Sequence, residues 1–114
     1  MSDHARPPDC IVATTTVATE AEADTLAQAL IEARLAACVQ TVPIRSLYRW
    51  KGAVEKETET LLTIKTRRSL RDALIAELRR RHPYEVPEIL IMPVAGGLPA
   101  YLDWIMAETD ADRD

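Results

Sequence analysis

The chain has 114 residues, 47% of them hydrophobic and 28% charged, with a formal net charge of −4. That length amounts to one domain, with enough core to fold without disulfide or metal staples. The acidic balance argues against a nucleic-acid partner, which needs a basic face, and the longest apolar run, residues 89–95, is too short to span a bilayer.

Residues 1–9 are polar, contain Pro7-Pro8 and lack the apolar stretch of a secretory leader, so they read as a loose tail on a cytoplasmic protein. Cys10 to Thr15 is β-branched and nearly uncharged, the composition of a short strand. Thr19 then supplies an N-cap and Glu22 completes a capping box. Ala23, Leu26, Ala27, Leu30 and Ile31 mark one face of a helix predicted to run to about Ala36. Cys10 and Cys38 lie in apolar surroundings without metal-site spacing, which reads as reduced core thiols rather than a disulfide framework.

Two extended stretches follow, Cys38 to Trp50 and Ala53 to Thr66, with Gly52 between them; this is a β-hairpin. Ile44, Tyr48 and Trp50 share one parity, and Arg45 and Arg49 the other. Opposite charges across a strand pair stabilise it by about 0.2–1 kcal/mol. Placing the two arginines beside Glu55, Glu57 and Glu59 calls for an odd loop with a bulge at Gly52, and that register is predicted. Ser69 is the expected cap of a second helix with Leu70, Ala73, Leu74 and Leu78 inward. Arg79, Arg80 and Arg81 complement its dipole, and Pro83 ends it at His82. Glu88 to Val94 reads as a further strand. A short helix with Tyr101, Leu102 and Ile105 on one side closes the domain before an acidic tail, 109–114, that is expected to fray.

The order β-α-β-β-α-β with a C-terminal helix is the α+β, ferredoxin-like plan, over residues 10–108. Helices cover one face of such a sheet, yet Ile11-Val12-Ala13 and Ile89-Leu90-Ile91-Met92 present apolar side chains to both. No spare element is expected to cover the second face. Each hairpin arm would also reach roughly 40 Å at ~3.3 Å per residue, beyond a domain of this size. Both features point to self-association through the 38–66 hairpin and the apolar sheet face.

Ser46-Leu47-Tyr48-Arg49-Trp50-Lys51-Gly52, then Glu55 and Glu59, then Leu62-Thr63-Ile64-Lys65-Thr66, resembles the central signature of the CutA divalent-cation tolerance family. Ala33 to Cys38, His82 to Glu88 and Tyr101-Leu102-Asp103-Trp104 are similar to that family as well. The resemblance implies a ferredoxin-like homotrimer, PII-like in plan, with a link to tolerance of copper and other divalent cations and no assigned catalysis. Some members carry a cysteine at the end of the first strand and a His-His pair before Pro-Tyr; here Thr15 and Arg81-His82 stand at those places. His82 is then the one candidate metal ligand, with a hydrogen bond at a subunit cleft as its competing role, so binding of Cu²⁺ or another divalent cation is expected to be weak. Trp50, Lys65, Tyr84, Glu88 and Trp104 form the candidate cleft set, either binding a small ligand between subunits or packing there. Lys65 would be the charge partner of an anionic metabolite in a PII-like sensor, the alternative function. Glu55, Glu57 and Glu59 offer hard-cation ligands or a solvated face. The sequence holds no nucleophile-base set or phosphate-cradling glycine loop. A proton-transfer pair of His82 and Glu88 is the only catalytic option, and a binding module is the expectation.

Overall fold

The computed structural model describes residues 9–112, so the residues read as tails lie outside it apart from Asp9 and residues 109–112. Strand β1 spans Cys10–Val17. Helix α1 spans Glu20–Glu32, and its cap is the predicted one: the Glu22 amide donates to Thr19 Oγ1 at 3.1 Å. It ends earlier than its apolar period suggests. Arg34 turns into the left-handed region (φ 57°), so the Arg34 and Leu35 amides donate back to the Ile31 and Leu30 carbonyls. The guanidinium of this arginine donates to the Glu108 carbonyl at 3.0 Å, tying the end of α1 to the C-terminal part of the chain.

Strands β2 (Cys38–Trp50) and β3 (Ala53–Arg67) form the hairpin. A single 3₁₀ turn, Arg68–Leu70, absorbs Ser69, so α2 begins at Arg71 and runs to Arg81 without the expected side-chain cap. Strand β4 is four residues long, Leu90–Pro93, shorter than the apolar run predicted, and α3 spans Pro99–Glu108. The sheet is antiparallel in the order β2-β3-β1-β4, the ferredoxin-like arrangement.

One face of the sheet carries Ala13, Val17, Leu62 and Ile64 against Leu26 and Leu30 of α1 and Leu74 and Leu78 of α2. The other face is not left entirely bare, contrary to expectation. Leu102 and Ile105 of α3 pack on Cys10 and close one end of it. The last turn is held there by Arg67, which donates to the Met106 carbonyl and to Thr109 Oγ1. Thr109 is accordingly buried rather than frayed, and Asp9 is tied down by the Arg68 amide at 2.9 Å. Beyond α3 the same face leaves Val42 48%, Leu90 58% and Met92 44% exposed.

The hairpin register differs from the predicted one. Trp50 and Ala53 close a two-residue turn, and the pairing continues without a bulge to Cys38 opposite Lys65. Lys51 (φ 49°) and Gly52 (φ 84°) both occupy the left-handed region, as a type I′ turn requires. Glu55, Glu57 and Glu59 therefore face Tyr48, Ser46 and Ile44, while Arg45, Arg49 and Lys56 point to the opposite side. Carboxylates beside the apolar row of Ile44, Tyr48 and Trp50 would be costly on a buried face. The outer hairpin instead projects past the helices, giving a body of 56 × 28 × 22 Å with a radius of gyration of 15.7 Å, against roughly 13 Å for a compact chain of this length. Only Glu59 of the three is buried.

Thr15 and Thr66 sit fully buried on the helix-covered face, and their hydroxyls meet no hydrogen-bond partner. A buried hydroxyl without a partner costs roughly 1–3 kcal/mol, and valine has nearly the same shape. Thr15→Val is thus expected to raise unfolding free energy by about 1 kcal/mol in chemical denaturation at fixed chain concentration. An unchanged or lower denaturation midpoint would mean that the hydroxyl is satisfied.

Candidate functional site

Pro83 ends α2, and the chain from His82 to Glu88 folds back beside the outer hairpin. Four hydrogen bonds order it. The Tyr84 amide donates to His82 Nδ1 at 3.2 Å, which leaves the proton of a neutral ring on Nε2, and Nε2 donates to the Thr16 carbonyl at 2.6 Å. Thr14 Oγ1 donates to Glu88 at 3.1 Å. The Tyr84 hydroxyl donates to Glu59 at 3.2 Å. Between this segment and the hairpin lies an open groove of about 760 Å³. Its aromatic walls are Tyr48, Trp50 and Tyr84, and Glu55, Glu57, Glu59, Glu85 and Glu88 supply its charge. Among the described residues, no lysine, arginine or histidine lines it.

The carboxylates reshape the two tyrosines. The hydrogen bond from Tyr48 to Glu57, 2.7 Å long, pushes the Tyr48 phenol up to about 12, since ionisation would break it and set two anions together. Burial first, and then the Glu59 charge, raises Tyr84 to about 12 as well. Thus Glu57 and Glu59 receive phenol donors where the sequence suggested arginine partners.

The candidate cleft set divides. Trp50, Tyr84 and Glu88 come together in the groove. Lys65 and Trp104 lie instead at the α3 end of the sheet: Lys65 Nζ donates to the Tyr101 hydroxyl at 3.2 Å, and the Tyr101 ring stacks on Trp104 at 5.6 Å between centroids. His82 sits behind the groove with both ring nitrogens engaged, so ligation by His82 requires it to give up Thr16 or Tyr84. Cys10 is buried under α3, where desolvation raises its thiol pKa, and Cys38 pairs with Lys65 in the same half of the sheet. Neither cysteine approaches His82, and among the described residues no three His, Cys, Asp or Glu side chains converge to hold a metal ion. Tyr48, Glu57 and Thr16 also line the groove; the shared parity of Tyr48 and Trp50, combined with an even loop, was the signal that points to the first two.

A family model described as CutA1 divalent ion tolerance protein matches residues 11–108. The "Divalent-cation tolerance protein CutA" of Pectobacterium atrosepticum is 44% identical over 100 residues, 87% of this chain and 91% of the relative. A protein of that name from Thermus thermophilus is 46% identical over 95 residues, 82% and 92% of the two. "Protein CutA" of Mus musculus is 46% identical over 93 residues, and there this chain spans only 52% of the relative. Among solved structures, CutA from Synechococcus elongatus superposes with a TM-score of 0.87 at 45% identity, covering 90% of this chain and 92% of that one. The Thermus structure gives 0.85 at 44% identity, with 89% and 99% covered.

The raised phenols carry a sign. Each tyrosine favours its neutral form in the folded chain, so its contribution to stability is complete below the ordinary tyrosine value near 10 and is lost as pH rises toward 12. Absorbance titration of the native protein should show two of the three tyrosines resisting ionisation until about pH 12. Glu57→Gln should return one of them toward its ordinary range. Three tyrosines titrating together near 10 in folded protein would contradict the assignment.

Proposed function

The chain belongs to the CutA1 divalent ion tolerance family, and from that premise we propose that it is a cytoplasmic, homotrimeric binding module for divalent cations rather than an enzyme. The observation that carries the assembly is the part of the second sheet face beyond α3, where Val42, Leu90 and Met92 stand exposed beside the projecting hairpin. A ribbon that leaves its own domain is covered most simply by another copy of the chain. The two free sheet edges also differ, β2 having 13 residues and β4 only 4. A contact between unlike edges is head-to-tail, the kind that closes into a ring.

The groove's carboxylate oxygens are donors of the kind a hard divalent ion takes, but no three of these side chains converge among the described residues, so a bound ion keeps most of its waters. Copper selectivity would need imidazole or thiolate ligands, and these do not converge here. Cation binding is therefore weak, with dissociation constants on the order of 10⁻⁴–10⁻³ M. The same lining disfavours the PII-like alternative, because five glutamates repel an anionic metabolite and Lys65 of the same chain is engaged with Tyr101.

Light scattering at micromolar concentration should give three times the 12.7 kDa chain mass, and Leu90→Glu with Met92→Glu should lower it. A stable mass of one chain would end the trimer proposal. Calorimetric titration with Zn²⁺ and Cu²⁺ should show weak binding that falls in Glu55→Gln with Glu57→Gln. Tight Cu²⁺ binding lost only in His82→Ala would move the site to the imidazole.

A further inference from the structure

Beyond the helices the ribbon carries two uncovered faces of unlike charge. The face turned away from the groove holds Arg45, Leu47 and Arg49 of β2 and Val54 and Lys56 of β3. All are exposed, Leu47 at 67% and Val54 at 60%. None of the three cations forms an ion pair with another described residue. The groove face is the converse, with Glu55, Glu57, Glu59, Glu85 and Glu88 beside the rings of Tyr48, Trp50 and Tyr84. Glu57 and Glu59 each accept a phenol hydrogen bond on one oxygen, Oε1 and Oε2 respectively, which leaves the second oxygen of each for another donor.

A closed head-to-tail ring needs two unlike, complementary surfaces on one chain, because each copy offers one to the neighbour before it and the other to the neighbour after it. The two faces of the ribbon are such a pair. A guanidinium suits the groove twice over: its fork matches carboxylate oxygens, and its plane stacks on aromatic rings. Leu47 and Val54, set among the cations, lose exposed apolar surface in the same contact. We propose that the groove is a socket for a second copy of the chain. The face bearing Arg45, Arg49 and Lys56 lies across the groove of the next copy, its cations held by Glu55, Glu57 and Glu59 and by the rings of Tyr48 and Trp50. The inference rests on the homotrimer reading and deepens it, because the acidic site is then incomplete in one chain alone. A divalent ion competes for these carboxylates with the neighbour's guanidinium groups, in keeping with weak binding.

Light scattering over a dilution series of the full chain, in urea below the unfolding range, tests this. Arg45→Glu with Arg49→Glu should raise the concentration at which the trimer dissociates by about tenfold or more, since like charges then face each other. Glu55→Lys with Glu57→Lys should do the same from the other side. All four substitutions in one chain invert both faces and restore attraction at every contact of the ring, so the midpoint should return to within a few-fold of the parent. Arg68→Glu with Arg79→Glu, an equal change in net charge on exposed positions away from the ribbon, should leave it unchanged. The socket is overturned, with the trimer still standing, if either ribbon pair leaves the midpoint in place or if the fourfold variant dissociates as readily as the pairs. An equal shift from the Arg68 and Arg79 pair overturns it as well, since that would indicate only diffuse repulsion. A parent mass of one chain ends the trimer reading itself, and the socket with it.

Discussion

The pairing of Trp50 with Ala53 across a two-residue turn governs the chemistry of this molecule. Because side chains alternate along a strand, that one closure decides the company of every residue in the outer hairpin. It gathers the acidic row and Tyr48 on one side and sends Arg45, Arg49 and Lys56 to the other. The ribbon consequently carries its two signs of charge on opposite faces. Deprived of arginine partners, Glu57 and Glu59 accept hydrogen bonds from the Tyr48 and Tyr84 phenols, which with the burial of Tyr84 move the tyrosine ionisations up.

The second wall of the groove rests on a different device. Pro83 stops α2 where His82 can span from Thr16 of β1 to the Tyr84 amide. One imidazole, held as a single tautomer, sets the position of the aromatic ring that meets Glu59. At the other end of the molecule two arginines do comparable work: Arg34 and Arg67 donate into carbonyls at the end of α3, where the last turn of a helix leaves acceptors open. Helix α3 is thereby fixed over one end of the second sheet face, and beyond it Val42, Leu90 and Met92 stay exposed.

Much of this was legible in the residues. The strands, the helices and the Thr19 cap follow from periodicity and local chemistry, and their order suffices for the topology. Of the residues expected at a cleft between subunits, Trp50, Tyr84 and Glu88 line one groove within the single chain. The register was misread because cross-strand charge pairs, worth about 0.2–1 kcal/mol each, were weighed above turn geometry. Lys51 gives little sign of the left-handed backbone it adopts, which asparagine or glycine would have announced. Lys65 and Trp104, expected at that same cleft, lie at the α3 end of the same chain, and sequence does not say at which end of a 56 Å body a residue falls. Ser69 was a plausible cap whose place was taken by a 3₁₀ turn that local composition does not signal.

The unbroken ladder also limits how the length of this ribbon can change over time. At the tip, one residue added to each arm lengthens the ribbon by about 3.3 Å and leaves every existing pair where it was. Within the arms the rule is stricter. A single residue inserted into β3 between Thr60 and Glu59 would turn all three glutamates toward the arginine face and empty the groove of its charge. Insertions of two per arm would preserve both faces. Length variation in this hairpin is therefore quantised by the pleat, and a change of odd size inside an arm exchanges an acidic surface for a mixed one in a single genetic step.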